Sequence, residues 1–389
     1  MDVWNGTTAV ILLTLAVIFV NGWTDAPNAI AAAVATGALP MRRAAGWAAL
    51  CNVLGTAVMC RFRPAVAYAM GSIVDLTAGR GSKAEPSPST LTILLSATLL
   101  TIVFWSVGAW VFGIPTSESH SLIAALTGAA LALYGDASVI RWNVWVTVVA
   151  GMAGSIVLGF ASAYLISWMG QHLRDARKEK WWNERRGGHH GGIHGGHHGR
   201  HHGGLHGRRH GGLRFLQIVL AMSLAFLHGA QDGQKFAALL LLAMGLTSGG
   251  QEITKTAMTG ILGGMAAEIP VELAVLCALV MGLGTATGGR RIVEKIGTEL
   301  IRLKPEDGCA ADGAAIFCLL GASLLGFPVS TTHVKTAAMV GAGMGSDRES
   351  RVRQNVAKEL VIAWIVTLPG CLLLGYGMVR GMEVWTIGL

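Results

Sequence analysis

Apolar stretches near residues 7–20, 44–60, 91–112, 119–134, 144–169, 214–227, 236–247, 257–285, 313–325 and 357–380 leave this chain little choice of solvent. Some reach the ~20 residues that carry a helix across a hydrocarbon core, and others stop short of it. In hydrocarbon every backbone N–H and C=O needs a partner within the chain, so the spans are read as helices and the protein as all-α and polytopic. Composition agrees: the 389 residues are 52% hydrophobic and 13% charged, with a mean hydropathy of +0.53, unlike a soluble globular domain. Short or Gly/Pro-interrupted apolar segments at matching places in two halves predict broken helices and two re-entrant hairpins around a transport site.

The formal net charge of +8 is not spread over a surface of the kind that binds nucleic acid. Between Arg174 and Arg214, eight further basic residues, among them Arg185, Arg186, Arg208 and Arg209, outnumber Asp175, Glu179 and Glu184. The positive-inside rule puts this segment in the cytoplasm, and Met1–Thr8 and Gly381–Leu389, which carry no Lys or Arg, outside. An odd number of crossings on each side then makes an inverted-topology repeat. Its parts are 1–170, a His/Gly/Arg-rich cytoplasmic loop over 171–213 that glycine and charge leave disordered, and 214–389. Val10–Val20 lacks the basic flank of a cleavable signal.

Two motifs recur. Gly113-Ile-Pro-Thr-Ser-Glu-Ser-His120 returns in outline as Gly326-Phe-Pro-Val-Ser-Thr-Thr-His333, and Asn21-Gly-Trp-Thr-Asp-Ala-Pro-Asn28 as His228-Gly-Ala-Gln-Asp-Gly-Gln-Lys235. Asp25 lies ahead of Ser117 by nearly the same span as Asp232 ahead of Ser330. A pair of motifs repeated in order and spacing reads as one site built from two halves. Gly22 and Pro27 predict that the first span unwinds around Asp25. Freed carbonyls there suit a cation, and the amides opening the next half-helix, Asn28–Ala38, suit an anion.

Ser117, Ser119 and Ser121 in one loop and Ser330, Thr331 and Thr332 in the other supply neutral donors in a row. They fit an oxyanion, and equally the N-caps of two helices, since both uses draw on the same amides. All but three of the 13 histidines lie in or beside the central loop; His120, His228 and His333 sit inside the motifs, as supports or as proton carriers. The loop histidines His189, His190, His194, His197 and His198 resemble a weak metal-binding tract.

On these residues the chain resembles the PiT-type inorganic phosphate transporters, of bacterial type. Asn21–Asn28 is similar to that family's Asn-Gly-x-x-Asp-x-x-Asn signature, His228–Lys235 to its second copy, Gly326–His333 to its Gly-x-Pro-Val-Ser-Thr-Thr-His loop, and Gly284–Gly297 to a further segment. The resemblance implies a secondary transporter moving inorganic phosphate, or metal-phosphate with a divalent metal, together with H+ or Na+, and no other cofactor. Implied anion contacts are Ser117, Ser119, Ser330, Thr331 and Thr332; cation or proton coupling falls to Asp25, Asn28, Asp232 and Gln231, supported by Asn21, His120, His228 and His333. Three positions depart from the family. Glu118 stands where members have Thr and repels phosphate unless protonated or paired; Gln231 replaces Asn; and Asn52 stands where some relatives carry an acid whose second-half equivalent is read as Asp312. Glu118 and Asp312 therefore join the coupling candidates, with a lean to H+.

The expected protein is a symporter in the plasma (inner) membrane, with the lipid bilayer as its surroundings and room for a homo-oligomer. A sulfate or other oxyanion permease of the same architecture is one alternative. A divalent-metal transporter or sensor, for which loss of 187–212 would abolish function, is the other. No nucleophile and base arrangement suggests an enzyme.

Overall fold

The computed structural model describes residues 3–62, 66, 73–74, 88–187, 203–247, 269–346 and 352–387. In order these form α1 (Val3–Thr24), α2 (Pro27–Ala35), α3 (Met41–Phe62), α4 (Pro88–Val111), α5 (Glu118–Tyr134), a 3-10 turn (Ala137–Val139) and α6 (Trp142–Gly187). The second half contributes α7 (Gly203–Thr247), α8 (Val271–Thr287), α9 (Arg290–Glu294) continued by a π-turn (Lys295–Leu300), α10 (Pro305–Leu325), α11 (Thr331–Gly345) and α12 (Gln354–Ile387). Among the described residues seven helical spans are long and apolar enough to cross a membrane, or eight if α8 and α9, bent by 63°, count as one. Phe317, Ile365 and Leu373 are among the large apolar side chains left on the outside, as a lipid-facing surface requires.

The two motifs that look alike in sequence do not bend alike. Between α1 and α2 the chain departs from the α-helix for only Asp25 and Ala26. Pro27 has no N–H to give the Trp23 carbonyl, and Asn28 N–H donates to the Asp25 carbonyl at 3.0 Å, an i−3 step. The half-helix that follows ends at Ala35, before the expected Ala38. In the second half, α7 runs unbroken through Asp232, joining the separate apolar runs expected at 214–227 and 236–247. The reason is local: 228–235 contains no proline, and Gly233 costs a helix far less. Gly233 also has a packing use, because a Cβ there would strike Thr56 of α3.

The repeated loops do obey one rule. Gly113 (φ 68°) and Gly326 (φ 75°) turn left-handed and end α4 and α10, and the next N–H reaches back five residues, Ile114 to the Ala109 carbonyl and Phe327 to that of Ala322, both at 2.9 Å. After the proline, Ser117 and Ser330 adopt extended backbone and cap α5 and α11 by accepting from the His120 and His333 amides at 3.3 and 3.2 Å. Gly, Pro and Ser thus each have a fixed task in the turn.

The halves are interlocked. α5 of the first packs on α12 of the second, and α11 of the second on α6 of the first. Glycine permits both crossings: a Cβ on Gly128 would meet the Leu372 carbonyl, and one on Gly341 the Phe160 carbonyl. α3 and α7 approach the same way, Gly55 facing the Phe226 carbonyl and Gly229 that of Asn52. The α8–α9 bend nests against the α1–α2 break, where Gly289 (φ 91°) lies so near Pro27 that a side chain would collide.

Helix enters the expected loop from both ends, over 171–187 and 203–213, so disorder throughout 171–213 is corrected. From Arg174 to Lys180 charges of both signs recur at helical spacing, as in the Asp175–Lys178 pair at 3.5 Å, and prolong α6 beyond its apolar part. His189, His190, His194, His197 and His198 lie outside the described residues.

Candidate functional site

The α1–α2 break, the middle of α7 and the capped starts of α5 and α11 converge on one buried polar cluster. Asp25, Glu118 and Asp232 are 3%, 1% and 2% exposed. The Asp25 carboxylate lies near the Glu118 backbone N–H and the Thr332 hydroxyl. Thr332 in turn accepts from Asn28 Nδ2 at 2.8 Å. Asp232 Oδ2 accepts from Asn21 Nδ2 at 3.2 Å and Thr331 Oγ1 at 3.4 Å, with His228 Nδ1 at 3.1 Å from Thr331 and 3.6 Å from Asp232. Lys235 Nζ reaches Asp232 Oδ1 and Ser119 Oγ, each at 2.6 Å, and the Val329 carbonyl at 2.9 Å. Behind the loops the His120 and His333 rings face each other at 4.6 Å, and His333 lies 4.1 Å from Trp364.

One hydroxyl of each loop, Ser119 or Thr332, is bound to the other half's Asp motif, while Glu118 and Thr331 bond within their own half. Asn28 and Lys235, each three residues beyond its Asp, reach Thr332 and Ser119, each two residues beyond its capping Ser. This exchange brings two motifs from each half to one place, and it accounts for Ser117, Ser119, Ser330, Thr331, Thr332, Asp25, Asn28, Asp232, Glu118, Asn21, His120, His228 and His333 lying together.

Charge in the cluster does not balance. Three carboxylates share Lys235, the one lysine or arginine that pairs with any of them among the described residues. Burying a carboxylate costs several kcal/mol unless it is paired and hydrogen-bonded. Asp232 has Lys235, Asn21 and Thr331, whereas Glu118 Oε1 accepts from Thr24 at 3.2 Å and its buried Oε2 has no hydrogen-bond partner. Asn21, the other donor near Glu118, is turned to Asp232.

Two sequence candidates lie elsewhere. Gln231 Nε2 turns to α10, donating to Ser323 Oγ at 2.8 Å. Asp312 of α10 pairs with Lys335 of α11. Asn52 is on α3 and donates to Thr285 Oγ1 of α8 at 2.8 Å. Sequence reasoning missed Thr24, Lys335 and above all Lys235. A lysine in a membrane helix, three residues beyond an Asp, was the available signal.

Membrane-crossing helices enclosing a buried set of carboxylates and hydroxyls drawn from the two pairs of recurring motifs fit a multi-pass transport protein. A sequence profile described as "Phosphate transporter family" matches residues 21–375, and the chain belongs to that family. It is 31% identical over 367 residues to a Bacillus subtilis (strain 168) protein named "Probable low-affinity inorganic phosphate transporter", covering 93% of each chain. A Rhizobium meliloti (strain 1021) protein of the same name is 31% identical over 365 residues, covering 92% of this chain and 90% of its own. Among solved structures, "The sodium-dependent phosphate transporter" shares the fold with a TM-score of 0.74 at 20% identity, over 98% of this chain and 99% of that one.

Proposed function

We propose that this protein is a secondary symporter of inorganic phosphate in the plasma membrane. The observation that carries this reading is the exchange between halves, in which one hydroxyl of each loop, Ser119 or Thr332, is held by the Asp motif of the other half. A tetrahedral anion between α5 and α11 would take over hydroxyl and amide donors now engaged within the protein: the His120 and His333 amides on Ser117 and Ser330, and the Thr331 hydroxyl on Asp232. Neutral donors and helix N-termini bind such an anion and release it again.

The surplus of carboxylates supplies the coupling. An anion next to Asp25, Glu118 and Asp232 is repelled until a cation or proton joins it, so substrate and coupling ion enter together. Glu118, whose buried Oε2 has no hydrogen-bond partner, is the acceptor, and we favour H+ over Na+. With every member of the cluster buried, this conformation is occluded, and opening to either side alternates by movement of one repeat, inverted relative to the other, against its partner. The basic segment from Arg174 supports a cytoplasmic centre with both termini outside.

Uptake of labelled phosphate into proteoliposomes tests the proposal, with sulfate and a divalent metal plus phosphate as competing cargo and imposed pH or Na+ gradients as drive. Phosphate uptake should follow the pH gradient and vanish in Asp25→Asn plus Asp232→Asn. Equal uptake by that variant and the wild type, or preference for sulfate, would defeat it.

A further inference from the structure

The two halves place different groups at one position of the repeat. Three residues beyond Asp25 stands Asn28, an amide donor; three beyond Asp232 stands Lys235, an amine on a flexible stem. Both make the same reach, to Thr332 Oγ1 at 2.8 Å and to Ser119 Oγ at 2.6 Å. The ammonium differs in what surrounds it. Its three N–H donors meet a carboxylate, a hydroxyl and a main-chain carbonyl, Asp232 Oδ1, Ser119 Oγ and Val329 O, at 2.6–2.9 Å. Those are the oxygen types that broken-helix transporters offer an alkali cation. Lys235 is only 1% exposed, and its oxygens come from α7, α5 and the loop before α11, elements that any cation bridging the halves would have to join.

From this geometry we propose that the Lys235 ammonium is a tethered cation filling the coupling-ion position of the second half, leaving the first half, at Asp25 and Glu118, to exchange an ion in each cycle. The proposal deepens the symport reading and rests on it. It also makes sense of Glu118. Relative to a site with Thr at 118 and Asn at 235, the chain has gained one negative and one positive charge, so Lys235 offsets Glu118 while separating a fixed cation from an exchangeable one. A compact ammonium on a flexible stem suits this use, since it supplies charge without leaving.

The full-length protein in detergent, without phosphate, tests this through melting midpoints in NaCl against choline chloride. Lys235→Asn, which copies the first half, should gain a rise of a few degrees in NaCl beyond any wild-type response, because an ion bound only by the folded state stabilises it. In liposomes its phosphate uptake should fall at least about tenfold in choline, which is ~1.4 kcal/mol, and recover with Na+. Lys235→Met fills the space without charge and should stay inactive in both salts. Identical Na+ responses in wild type and Lys235→Asn would overturn the proposal. So would wild-type uptake by Lys235→Met, or a Lys235→Asn protein that folds in neither salt while Lys235→Met folds. A Na+-dependent melting gain with no phosphate uptake by any form, wild type included, would sink the transport reading and leave the tethered cation standing.

Discussion

Asp25 and Asp232 occupy matching places in the two halves, yet the chain treats them in opposite ways. Around Asp25 the helix breaks at Pro27, and the carboxylate lies beside Glu118 with no lysine or arginine paired to it among the described residues. Around Asp232 the helix is continuous and the carboxylate is held by Lys235 at 2.6 Å. One half keeps an under-compensated acid pair on a bent backbone, and the other a neutralised acid on a straight one. Motifs that recur in sequence need not recur in electrostatics: Glu118 adds an acid to one, and Lys235 places an amine on the carboxylate of the other.

The comparison breaks most severely at Asp232. Asp232→Asn leaves the Lys235 ammonium buried without its carboxylate, and removing one partner of a buried pair costs ~3–5 kcal/mol. The melting midpoint should fall markedly and phosphate uptake should be lost. Asp25→Asn has no buried cation to strand, so it should lose uptake while melting close to the wild type. Equal loss of stability in the two variants would erase the distinction between the halves.

Glu118→Thr sharpens the same contrast by making the first loop resemble the second. Uptake driven by a pH gradient should fall about tenfold, equivalent to ~1.4 kcal/mol. Phosphate should still protect the variant against thermal unfolding, since the hydroxyls remain. An undiminished response to the pH gradient would move coupling away from the first half.

The smallest effect is expected between the halves. Removing residues 187–212 deletes the histidine tract but no member of the central cluster, so phosphate uptake should stay within about twofold, in keeping with ~0.5 kcal/mol or less for changes away from structural features. Abolished uptake would favour a metal-handling role for the tract.

Local chemistry explains which parts of this architecture were legible in the sequence. The Gly113 and Gly326 turns were, because a left-handed glycine, a proline and a capping serine fix them within a few residues. So was the convergence of Asp25 and Asp232 with the hydroxyl loops, through motif order. Continuity of α7 was not: the polar residues from His228 to Lys235 lower hydropathy as a chain break does, though their backbone stays helical. The partners of Asn52 and Asp312, Thr285 and Lys335, depend on crossings between distant helices that small residues permit at many places. Lys235 stood in plain view, but its three oxygens come from segments whose meeting only the folded chain displays.

The crossed packing of α5 on α12 and α11 on α6 also governs how the molecule is made. A ribosome delivers residues 118–134 long before 354–387, so the first hairpin enters the membrane without the surface that Gly128 is shaped to meet. Until α12 arrives, α5 lacks that packing partner. A nascent chain cut short before the last described helix would thus carry every member of the acidic cluster, with α5 deprived of the helix it packs on and His333 of Trp364.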